Sequence, residues 1–151
     1  MREALTKQLS EALAQAQQEA RALNQEFVGT EHLLLGLLAA GADTEALAGL
    51  KLAGVDRDAL RKRVTESLPR AEQSPGITGD LPLSPNAQRA INAAVTKAQS
   101  LGSPRVSTRL LLGALLDECE TLVRPAMRAV GADLDHLQRV LVQDGSIQPE
   151  A

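Results

Sequence analysis

The chain has 151 residues, 44% hydrophobic and 23% charged, with a net charge of −3, the composition of one globular domain with a real core. Phe27 is the only aromatic residue and no basic stripe is present, which excludes a general nucleic-acid binder. The single cysteine, Cys119, excludes an internal disulfide, and no stretch reaches the ~18 consecutive apolar residues of a membrane span, so a cytoplasmic or equivalent reducing location is expected.

A helix is predicted over 7–23, capped by Thr6, with Leu9, Leu13, Ala16, Ala20 and Leu23 forming its apolar stripe. A loop over 24–29 leads to Thr30 as the next cap. The helix after it, 31–39, carries Leu33-Leu34-Leu35-Gly36-Leu37-Leu38 and is apolar on nearly all sides, so it belongs at the centre of a bundle. After Gly41-Ala42-Asp43 a third helix is expected over 44–53, ended by Gly54. Asp56 then caps a fourth that carries Leu60, Val64 and Leu68.

Residues 69–82, with three prolines and two glycines, read as a linker. The same pattern then returns. Leu5-Thr6 recurs as Leu83-Ser84, 78 residues later (83 − 5), and Phe27-Val28-Gly29-Thr30 recurs as Arg105-Val106-Ser107-Thr108. Ala87, Ala90, Ile91, Ala94, Ala98 and Leu101 answer the small and apolar positions of the first helix. Ser84 is the cap, and Pro85 stands at the first helical position, where its missing N–H costs nothing.

Leu110-Leu111-Leu112-Gly113-Ala114-Leu115-Leu116 repeats the leucine helix. By Gly131 the offset has dropped to 77 (131 − 54), so one residue is missing between Leu116 and Gly131, where Pro125 fits the first turn of a helix. Leu137, Val140 and Leu141 close the second copy, and 145–151 read as a frayed tail. The expected fold is all-α: two tandem four-helix repeats, eight helices related by a pseudo-twofold, in a single domain over 1–144 (repeat one 5–68, repeat two 83–144).

The chemistry of a catalyst is missing from the pattern. No lysine follows a glycine, so no phosphate-cradling loop of the P-loop type can be built. One cysteine and two histidines do not make a metal site. Glu31 and His32 are neighbours on a helix and point about 100° apart. Asp56/Asp58 and Asp133/Asp135 lie at helix starts, where they cap, and Arg61-Lys62-Arg63 reads as a solvated face. The acidic neighbours of Cys119 should raise its thiol pKa rather than activate it. No catalytic residue, metal ligand or cofactor is assigned, and an enzyme is not expected.

Thr6 ahead of a helix, followed by Phe27-Val28-Gly29-Thr30-Glu31-His32-Leu33-Leu34-Leu35-Gly36-Leu37-Leu38, resembles the N-terminal repeat domain of the Clp family of AAA+ unfoldases. Gly79-Asp80-Leu81-Pro82-Leu83-Ser84-Pro85, with Val106-Ser107-Thr108 and its leucine helix, looks most like the ClpB disaggregase branch, here without ATPase modules. The resemblance covers nearly the whole chain. It implies recognition without turnover: unfolded or tagged proteins, or adaptors, held at the surface between the repeats. The alternative it leaves is an accessory subunit that docks on a Clp ATPase ring or protease core without touching substrate. Either role implies protein partners, no nucleic acid, no membrane and a monomer in isolation.

By resemblance, the substrate- or peptide-binding residues are Thr6, Phe27, Thr30, Glu31, Leu83, Ser84, Thr108 and Arg109. In ClpC-like domains the helix-start Thr and the Glu of G-T-E-H, once per repeat, help hold phosphorylated arginine. Here Thr6 and Glu31 answer in the first copy, but the second pairs Ser84 with Arg109, a guanidinium that repels another. The resemblance then implies at most one phosphoarginine pocket, in the first half, while Arg109 suits an acidic chain end or acidic partner residues.

Overall fold

The computed structural model describes residues 4–39, 44–117 and 122–143, together with Gly145, Ile147, Pro149 and Glu150. Cys119 and the Gly41-Ala42-Asp43 segment lie outside the described residues. Eight helices are found among those described: α1 (Lys7–Ala22), α2 (Thr30–Ala39), α3 (Glu45–Leu52), α4 (Arg57–Ser67), α5 (Pro85–Ser100), α6 (Thr108–Asp117), α7 (Val123–Ala129) and α8 (Leu134–Gln143). The two long helices have 16 residues each and the two leucine helices 10 each, in matching positions. The third pair has 8 residues in the first copy and 7 in the second, so the residue lost from the second copy is taken out of α7. Pro125 stands in the first turn of that helix.

The caps follow local chemistry. Thr6 Oγ1 accepts from the Leu9 amide at 3.1 Å and Ser84 Oγ from the Ala87 amide at 3.1 Å. Asp56 and Asp133 accept from amides of their own first turns. At α2 the cap moves back by one residue from the expected Thr30. Gly29 O accepts the Leu33 amide, and the Gly29 amide donates to His32 Nδ1 at 2.9 Å. Three residues on, the imidazole thus supplies the third-position half of a capping box, the other half being absent because glycine has no side chain. Thr30 is the first residue inside the helix, and its hydroxyl donates to Glu31 Oε1.

The leucine helices form the centre, as their pattern requires: α2 buries every residue from His32 to Leu38, and α6 buries Leu111, Leu112, Ala114, Leu115 and Leu116. Helix α1 lies closely on α2. A Cβ on Gly36 would meet the Ala12 carbonyl oxygen at 2.2 Å, so only glycine permits this approach. The apolar stripe of α1 is narrower than its spacing suggests. Leu9, Ala12, Ala16 and Ala20 are buried, while Leu13 and Leu23 are half-buried.

The repeats are joined by an exchange. Leu5 pairs in parallel with Val106, and Val28 with Leu83. Swapping the copies turns one pair into the other, which is the signature of a twofold contact. The bonds are Thr6 N–H to Val106 O (3.0 Å), Val28 N–H to Pro82 O and Ser84 N–H to Val28 O (2.9 Å each). The linker is strapped down as well. The Gln17 side chain donates to Leu81 O at 3.0 Å and accepts from Leu81 N–H at 2.8 Å, and Arg21 donates to Ile77 O.

Candidate functional site

Two features lie on the junction of the repeats. The first is a cleft of about 690 Å³ between α1 and α5, floored by the exchanged segments. Leu13 and Gln17 line it from α1, Ile91 and Val95 from α5, and Leu81 and Leu83 from the strap. Leu13 and Ile91 occupy equivalent places in the two copies, and both are half-buried. A twofold related pair of apolar side chains therefore faces the opening, where an apolar segment would bury them further.

The second feature is a polar seat where the N-termini of α1, α3 and α6 converge, beside a cavity of about 340 Å³. Its centre is the Glu150 carboxylate. Oε1 accepts from the Thr6 hydroxyl at 2.8 Å and from Thr108 N–H at 3.0 Å. Oε2 accepts from Glu45 N–H at 2.6 Å and from the Thr108 hydroxyl. Thr108 Oγ1 in turn accepts from Ala46 N–H at 2.9 Å, and Thr44 Oγ1 from Leu47 N–H at 3.2 Å. The three leading amides of α3 are thereby satisfied by three different side chains. A carboxylate at converging helix N-termini meets both orphan donors and favourable dipoles.

Glu45 is part of the same lattice. Its Oε2 accepts from Glu150 N–H at 2.7 Å and its Oε1 from Arg109 Nε at 2.8 Å, and Arg109 also donates to Leu141 O. Lys97 and Arg105 stand on the rim. Without Glu150, the charged lining of the seat is three cations, Lys97, Arg105 and Arg109, against the single carboxylate of Glu45.

The pairing of the expected site residues differs from the sequence expectation. The resemblance matches Thr6 with Glu31, and Ser84 with Arg109, because each pair belongs to one copy. The exchange crosses them: Thr6 sits with Thr108 around Glu150, beside Arg109, while Ser84 N–H bonds Val28 O, at the approach to Thr30 and Glu31. Leu83 faces the cleft, and Phe27, half-exposed at 51%, precedes the exchanged Val28. Arg109 finds its acid within the chain, as Glu45. The tail is not frayed at this point: Ile147 is buried and Glu150 docked.

No sequence pattern marks Leu13, Ile91, Glu45 or Glu150 as a site residue. Leu13 carried the signal of a core stripe, and Glu150 carried none, since its partners lie 42 to 144 residues away. His32 is buried and lies apart from the seat in the capping bond already described. Burial pulls its pKa below 6.5, outweighing the Glu31 and Glu19 carboxylates that raise it. With Nδ1 accepting, the proton resides on Nε2. No group of acids, histidines or cysteines able to hold a metal ion occurs among the described residues, and none of the described helices is long and apolar enough to cross a membrane.

Known proteins share this plan. The chain is 30% identical over 143 residues to chaperone protein ClpC1, chloroplastic, of Oryza sativa, covering 95% of this chain and 15% of that one. It is equally 30% identical to a chloroplastic ClpA homologue of Brassica napus, over 95% of this chain and 16% of that one. It thus spans about one seventh of the length of these relatives. Among solved structures, the N-terminal domain of Hsp104 from Candida albicans superposes with a TM-score of 0.79 at 15% identity, covering 95% of this chain and 93% of that one. The N-terminal domain of ClpD from Arabidopsis thaliana gives 0.73 at 23% identity, covering 93% of each. The N-domain of ClpV from Vibrio cholerae gives 0.75 at 19% identity, covering 99% and 89%. A ClpV N-domain has also been solved in complex with a VipB peptide. Residues 4–124 match the family described as Clp repeat (R) N-terminal domain, and with its doubled helical plan the chain belongs to that family.

Proposed function

We propose that this chain is a non-catalytic protein-recognition domain that binds unfolded or tagged polypeptides, or adaptors, at the surface between its repeats. The observation that carries this is the apolar cleft between α1 and α5, where Leu13 and Ile91 face the opening from equivalent positions. A helix surface that leaves such residues half-buried gains free energy when a partner covers them, at about 25 cal/mol per Å² of apolar area. The solved complex of a related N-domain with a peptide supports protein segments as the ligand class. The place of this activity is a reducing compartment, cytoplasmic or equivalent; the relatives include chloroplastic proteins.

The test is titration of the chain with a permanently unfolded, carboxymethylated model protein, followed by fluorescence anisotropy. Micromolar binding that weakens at least tenfold in Leu13→Asp/Ile91→Asp is expected. Absence of binding at high micromolar concentration overturns the proposal. So does a complex with a Clp ATPase ring or protease core that forms while unfolded protein is ignored and the cleft substitutions have no effect, since that is the behaviour of a docking subunit.

A further inference from the structure

We infer that the seat at the α1, α3 and α6 N-termini is a carboxylate-recognition site held closed in cis by Glu150, and that in trans it takes an acidic peptide segment with an apolar residue three positions before its glutamate.

The seat is built for such a group. It presents four donors to one carboxylate: the Thr6 and Thr108 hydroxyls and the Glu45 and Thr108 amides. With Glu150 seated, Thr6 and Thr108 are 3% and 0% exposed, so the carboxylate takes the place of water on both hydroxyls. The net charge of the lining favours an anion. Hydrogen bonds from neutral donors to a carboxylate are worth about twice those to a neutral acceptor.

The tail shows which segment fits. Ile147 is buried against the α3–α8 packing, where a Cβ on Gly49 would approach both Leu141 and Ile147. Pro149 lines the cavity, and Glu150 reaches the seat. The Glu150 amide returns a bond to Glu45 Oε2, so the backbone beside the glutamate is recognised as well as its side chain. A glutamate on a tethered tail competes at an effective concentration that reaches millimolar. Any partner using the same chemistry must displace it.

The partner clause rests on the proposed function; the closure by Glu150 does not. The probe is a fluorescent, C-terminally amidated peptide of residues 146–151, Ser-Ile-Gln-Pro-Glu-Ala, titrated into the full chain and into Glu150→Gln. Binding to E150Q at least tenfold tighter than to the wild type is expected. A peptide with glutamine in place of its glutamate should bind E150Q at least tenfold more weakly. In NMR spectra the Thr108 and Glu45 amide resonances should shift in E150Q and return with the acidic peptide.

Equal affinity for wild type and E150Q overturns the closure. Equal affinity of the two peptides, or no binding to E150Q at millimolar peptide, overturns the carboxylate seat. Unfolded-protein binding is measured on the same samples. If it persists in E150Q while the peptide fails, the seat is refuted and the cleft stands; if the peptide behaves as expected but unfolded protein is ignored, the cleft is refuted and the seat stands.

Discussion

His32 and Thr108 are the residues through which local chemistry reaches furthest. The imidazole is buried and accepts a hydrogen bond in its neutral form, so its folded pKa lies below 6.5, the value expected when unfolded. As pH falls from 6.5, the unfolded chain binds a proton that the folded chain resists. The contribution of His32 is fully present above that pH and is lost on acidification, with a slope of at most about 1.4 kcal/mol per pH unit. Thermal midpoints should therefore drop between pH 7.5 and 5.5, and His32→Gln should flatten that drop. Thr108→Val leaves Ala46 N–H buried without an acceptor. It should cost about 1–3 kcal/mol, read from urea unfolding, although it adds no cavity. The caps Thr6 and Ser84 were legible in the sequence because a cap reaches only three residues ahead. Glu45, Thr108 and Glu150 were not legible as a cluster, because no local pattern marks three residues that meet only after the chain has closed.

Helices were the most readable level of this chain. The 3.6-residue period, the caps and the all-round apolarity of α2 and α6 each follow from side chains near in sequence. What escaped was which face of α1 and α5 stays open, since Leu13 and Ile91 obey the core spacing and lie on the cleft instead. The glycines of the two leucine helices make the same point. Gly36 of α2 answers to Ala114 of α6 and not to Gly113, and a Cβ on Gly36 collides with Ala12 O and Ala16 N, while one on Gly113 meets only Gln138 Oε1 at 3.7 Å. Gly36→Ala should therefore destabilise by about 3 kcal/mol as α1 is forced off α2. Gly113→Ala should be neutral or stabilise by up to about 1 kcal/mol from helix propensity. Paired denaturation curves check both, and equal effects would mean that α1 does not press on the Gly36 backbone.

For the whole molecule, duplication was visible from the constant spacing of matched residues, and buried residues of both copies join in one core. Which residues of one copy meet which of the other was not visible, because repetition says that two units are alike and not how they clasp. The linker shows a similar limit. Its prolines and glycines mark an irregular path, yet Gln17 and Arg21 pin that path to α1. Gln17→Ala removes both bonds to Leu81. Hydrogen exchange at the Leu81 amide should then speed up about tenfold while global stability falls by no more than about 2 kcal/mol.

The pairing of Leu5 with Val106 and of Val28 with Leu83 makes each half the missing edge of the other. A nick in the strap would leave two pieces, each carrying an unfilled place shaped for its counterpart. Mixed in solution, such pieces should reassemble by complementation, and either one alone should seek a second copy of itself. The molecule therefore behaves as a dimer whose subunits happen to be written on one strand.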